Sequence, residues 1–209
     1  MMSPEEKREL LKIARDAIAA AVRSEFPSEA GWRMRGRGVA RGSKDLPADD
    51  KGYRGHLAEP RGAFVTIRIR HELRGCIGYI ESTDCLGDVV ADVAVKAALE
   101  DPRFPPLSPE ELDQVTIEIS ILSPLHAIRD IEEIEVGVHG LLMEQGHRRG
   151  LLLPQVAGEY GWDRQEFLEN TARKAGLPAE AWRDPSTTIY AFTAEIIHEE
   201  EFATEDPGS

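Results

Sequence analysis

Cysteine is scarce in this sequence, and so is surplus positive charge. Two thiols, Cys76 and Cys85, stand among 209 residues, which excludes a disulfide scaffold and fits a reducing cytoplasm. Cys76 reads as part of a strand and Cys85 as a helix start, so two independent thiols are expected. There is no Cys-x-x-Cys. The histidines His56, His71, His126, His139, His147 and His198 show no paired spacing, so no metal site is expected. A net charge of -13 argues against general binding to nucleic acid or an anionic membrane, since both need excess Lys and Arg. Charges also interrupt every apolar run well short of a bilayer span. Ser3-Pro4-Glu5-Glu6-Lys7-Arg8 lacks the apolar core of a secretion signal, so the expected location is the cytoplasm. What is present is an ordinary globular composition, 41% hydrophobic and 30% charged, enough for one large domain or two small lobes.

The chain then reads in order. Ser3 followed by Pro4, Glu5 and Glu6 opens a helix whose apolar stripe runs from Leu10 to about Phe26. Residues 27–61 carry no periodicity and read as a long surface loop, locally basic between Trp32 and Lys44. Phe64–Arg70 alternates as a strand, turns at His71-Glu72, and returns through Leu73-Arg74-Gly75-Cys76-Ile77-Gly78. Ser82-Thr83-Asp84 caps a helix that Asp101-Pro102 ends. Ser108-Pro109-Glu110-Glu111 is a capping box. Val115–Ile121 is a strand with Thr116, Glu118 and Ser120 on its polar side. A second hairpin follows, from Val136 to Glu144, around Gln145–Gly150 and back through Leu151–Leu153. Two short helices come next, then a last strand Thr188–Ile197 and a frayed tail, 199–209. This order is α+β with mainly antiparallel sheets and flanking helices.

Within the hairpin, a period of two puts Arg74, Cys76 and Gly78 on one face. A guanidinium near a thiol can favour thiolate, which makes Cys76 a candidate nucleophile with His139 and Glu118 as candidate bases. The alternatives are a ligand-binding role without covalent chemistry, and a small buried cysteine whose neighbouring glycines mark a bulge or tight strand packing. Gly75 and Gly78 are candidates for exposing backbone N–H groups to a ligand. Arg103, on a stiff proline-rich connector, is a candidate to join Arg74 in holding an anion, or to form a salt bridge with Asp101 or Glu118.

Several stretches resemble the AMMECR domain family. Leu73–Gly78 is its hallmark hexapeptide. The resemblance continues through Asp101-Pro102-Arg103-Phe104-Pro105-Pro106-Leu107, Val136–Gly140, Leu151–Ala157, Tyr160–Asp163 and Lys174–Pro178. It implies a single AMMECR-type domain of two lobes, with the hexapeptide near a cleft between them. It also implies neighbours of the AmmeMemoRadiSam system, a Memo-like protein and a radical-SAM protein. No reaction and no cofactor come with it. Related sequences often carry Cys where this chain has Ala172, so a mechanism using a second thiol there is not expected. Three readings follow: a polar site binding a small anionic ligand or substrate, with or without a Cys76 nucleophile; a non-catalytic adaptor for a Memo-like or radical-SAM partner; and nucleic-acid binding through the basic loop.

Overall fold

A computed structural model describes residues 1–26 and 52–202; the basic stretch 32–44 and the end of the tail lie outside them. The fold is α+β and divides into two compact units. One comprises Met1–Ser120 with Ile196–Ser209, the other Ile121–Glu195. Each holds a four-stranded sheet. Among the described residues, no helix is long and apolar enough to cross a membrane.

The first unit opens with α1 (Pro4–Glu25) at the expected start, and Ser3 and Glu6 form a capping box there. Leu10, Leu11, Ala14, Ile18 and Val22 are buried along one stripe of it, and they pack against α2 (Leu86–Leu99). The sheet combines β1 (Ala63–Ile69), β2 (Glu72–Tyr79), β3 (Val115–Leu122) and β8 (Ala194–His198), in the order β2-β1-β3-β8. Helix α2 lies over β1 and β2. Val65 and Ile67 on that side are fully buried, whereas Thr66 alternates to the helix-free side.

Local chemistry moved several expected boundaries. The first hairpin turns at Arg70-His71, one residue early, with both residues at positive φ (53° and 68°). That is the geometry a two-residue loop between twisted strands requires. Its register slips at Ile67/Arg68: Ile67 pairs with Gly75 and Arg68 with Leu73, which leaves Arg74 as the extra residue of a bulge. The strict alternation expected for Arg74 therefore fails. The cap of α2 is Cys85, not Ser82–Asp84. Part of the expected 27–61 loop is a short 3-10 turn, Gly55–Ala58. It is tied to α1 because Glu6 accepts the His56 N–H at 3.0 Å, and the bonds from the Ser3 N–H and then from His56 hold the Glu6 carboxyl down at about 2. The expected tail also begins ordered, in a 3-10 turn at Glu199–Glu201. There Arg15 of α1 grips the Glu199 carboxylate through Nε at 2.6 Å and Nη2 at 2.5 Å.

The second unit's sheet runs β4 (His126–Ala127), β7 (Thr188–Phe192), β5 (Gly140–Gln145), β6 (Arg148–Leu152). Helices α3 (Pro154–Tyr160) and α4 (Arg164–Lys174) accompany it. Its core gathers Leu141, Met143, Phe167, Leu168 and Ala172. The expected last strand is in fact two strands in different sheets, β7 and β8. It breaks at Thr193, which exchanges hydrogen bonds with Ser123 instead of a neighbouring strand (2.9 Å each way). Residues 136–139 are a tight turn, not strand. Gly137 sits at φ 86°, and the Glu135 carbonyl accepts the N–H groups of both Val138 and His139.

Candidate functional site

Strand β2 is an edge strand, so the outward N–H and C=O groups of the hexapeptide need partners from outside the sheet. At Cys76 the partners are side chains. Asp101 Oδ2 accepts the Cys76 N–H at 2.9 Å, and Arg103 Nη2 donates to the Cys76 carbonyl at 3.3 Å. The same two side chains are paired with each other, Nε to Oδ1 at 2.9 Å and Nη2 to Oδ2 at 2.6 Å. Asp101 and Arg103 thus stand where a neighbouring strand would. Asp101 is buried, and its bonds from Arg103 hold its carboxyl down at about 2, well below the usual carboxylate value.

The bulge aims Arg74 at the connector rather than at the thiol. Its Nε and Nη2 form a two-point pair with Glu111 at 2.8 and 3.0 Å, while Nη1 and Nη2 donate to the carbonyls of Pro105 and Pro106. Glu111 also accepts the Ser108 N–H at 2.9 Å, so a single carboxylate caps the 3-10 turn Pro109–Gln114 and anchors Arg74. Its pKa is lowered, chiefly by Arg74. The Phe104 ring lies near both guanidinium groups, 6.0 Å from Arg74 and 5.5 Å from Arg103. The two arginines do converge, but on Phe104, and each is paired with its own carboxylate.

The glycines have close neighbours of their own. A Cβ on Gly75 would stand 2.1 Å from the Ala97 carbonyl oxygen of α2, and one on Gly78 would stand 2.2 Å from the Phe64 ring. Their small size lets α2 and Phe64 approach the strand.

Cys76 pairs with Thr66 across the hairpin, and the Thr66 hydroxyl donates to its sulfur at 3.3 Å. Burial raises the thiol pKa. The Thr66 bond and the Arg103 charge oppose that rise, while Asp101 and Glu118 add to it. Arg74, the expected activator, is absent from this balance. Glu118 on β3 faces the His198 Nδ1 on β8 at 3.5 Å. His139 belongs to the second unit, where its Nδ1 accepts the Glu135 N–H at 3.1 Å and its ring meets His126 edge-on at 6.0 Å. The first unit therefore assembles Arg74, Gly75, Cys76, Gly78, Arg103 and Glu118, with Thr66, Asp101, Glu111 and His198 added. Among the described residues, no cluster of three or more His, Cys, Asp or Glu could hold a metal ion.

The α+β scaffold of two four-stranded sheets that carries this clipped edge strand has a counterpart among known structures. Residues 11–197 match the AMMECR1 family, and the chain belongs to it. A protein of Methanothermobacter thermautotrophicus is 44% identical over 206 residues, covering 95% of this chain and 97% of that one. Protein TK0174 of Thermococcus kodakarensis is 48% identical over 155 residues, covering 69% and 75%. The crystal structure of the uncharacterised protein PH0010 from Pyrococcus horikoshii shares the fold with a TM-score of 0.76. It is 35% identical and covers 93% of this chain and 92% of that one.

Proposed function

We propose that the chain binds a small anionic ligand non-covalently beside Cys76, with the thiol acting as a neutral hydrogen-bonding group. The observation that carries this reading is the state of Cys76: its pKa is raised by burial, and its sulfur already receives the Thr66 hydroxyl. A nucleophile needs thiolate, and the cations that could favour it are held by Glu111 and Asp101. The anion's partner is Arg103. It is 51% exposed, and its Nη1 has no partner among the described residues, whereas every nitrogen of Arg74 is engaged.

Two measurements test the proposal at neutral pH. Iodoacetamide should label Cys76 no faster than Cys85; preferential labelling of Cys76 would restore the nucleophile. Inorganic phosphate should shift the Cys76 amide resonance. That binding should survive Cys76→Ser and weaken about tenfold in Arg103→Ala, as loss of a charge-assisted bond implies. No response to phosphate in the parent protein removes the anion site.

A further inference from the structure

The helix-free face of the first sheet carries a polar side chain on each of its four strands. Cys76 is on β2, Thr66 on β1, Glu118 on β3 and His198 on β8, following the strand order. Three inter-strand spacings span about 14 Å. The first contact is the Thr66–Cys76 hydrogen bond, the last is the 3.5 Å approach of His198 to Glu118, and Glu118 is near enough for its charge to act on the thiol. The side chain of Glu118 is only 12% exposed, that of His198 48%. A largely buried carboxylate on this face would repel an anion arriving beside Cys76.

We infer that His198 is a positioning residue of the Cys76 site, orienting Glu118 and shielding its charge so that an anion can be admitted next to Arg103. This rests on the anion-binding reading above. Nδ1 stands 3.5 Å from the Glu118 Oε2, and a proton on that nitrogen would turn the positive side of the ring dipole towards the carboxylate. The backbone at His198 is fixed for this task by the next residue: Glu199 accepts the Ile117 N–H of β3 at 3.0 Å and is gripped by Arg15. His198 is therefore held against β3 from its own chain. Losing the shield over one carboxylate on this face is read as a few-fold change in anion affinity.

The experiment is a double-mutant cycle on phosphate affinity at fixed neutral pH. His198→Leu should weaken phosphate binding about threefold to fivefold. Glu118→Gln should strengthen it, and His198→Leu in the Glu118→Gln background should change nothing further. His198→Asn, whose amide N–H can replace Nδ1–H, should stay close to the parent. An independent readout is the His198 ring signal, which should move when Cys76 is alkylated and cease to respond in Glu118→Gln; exposed His71 is the control. If the parent binds phosphate but His198→Leu has no effect, or an equal effect without Glu118, this inference is overturned and the anion site stands. If the parent does not bind phosphate, both fall.

Discussion

The two hairpins of the molecule use the same packing device. In the first, Gly75 of β2 presses against the Ala97 carbonyl near the end of α2, and Arg74 beside it donates to carbonyls of the segment after that helix. In the second, a Cβ on Gly150 of β6 would stand 2.2 Å from the Ala175 nitrogen at the end of α4, and Arg148 donates to the Gly176 carbonyl at 3.0 Å. Glycine against a helix end, with an arginine tying down the chain beyond it, is therefore a structural solution that needs no ligand. The first hairpin has more than packing requires. It adds a carboxylate for Arg74, an Asp101–Arg103 clip on the Cys76 backbone, and a thiol in a polar row. That surplus, rather than the glycines, is where function is to be sought.

The comparison breaks most sharply at the glycines. Gly75→Ala and Gly150→Ala each place a methyl group within 2.2 Å of backbone that cannot swing aside. Each should cost about 3 kcal/mol, as for an overpacked core. Matching losses in denaturant unfolding support a shared device; a tolerated Gly75→Ala together with a damaged Gly150→Ala would show that Gly75 serves something other than packing. The clip comes next. Asp101→Asn leaves Arg103 without its carboxylate and should cost about 3 kcal/mol or somewhat less, since one partner is half exposed. It should also change the acid limb of the stability curve. The folded pKa of Asp101 is about 2 against an ordinary 3.8, so its contribution is complete above 3.8 and is lost as pH falls towards 2. Unfolding measured across that window should be less steep in pH for the variant than for the parent.

Much of this was legible in the residues. The helix start at Ser3 and the capping box at Ser108 stand as read, because a cap is decided by neighbours three residues apart. The Arg103–Asp101 pair was among the readings too, being two residues apart. What lay beyond sequence was long-range. The Ile67/Arg68 register slip aims Arg74 at Glu111, and the glycines that allow a bulge in this strand do not say which residue it displaces or what partner that residue finds. Glu111 read only as a cap, although it also anchors an arginine 37 positions away. Val136–His139 read as the start of a strand, yet Gly137 at φ 86° turns the chain. His198 became visible only once the strand order placed β8 beside β3.

The smallest effect separates the two arginines. Arg74 has a side chain 14% exposed, a two-point pair with Glu111 and two carbonyl acceptors. Arg148 lies in an exposed stretch and donates to a single carbonyl. Lysine keeps the charge but cannot reproduce a planar fork, so Arg74→Lys should cost about 1–2 kcal/mol, whereas Arg148→Lys should stay within about 0.5 kcal/mol. If Arg74 is only a tie, its substitution will lower the unfolding midpoint and leave the phosphate-induced shift at Cys76 in place. If Arg74→Lys abolishes that shift while the midpoint holds, the anion is bound through Arg74 rather than Arg103, and the parallel between the two hairpins ends at their glycines.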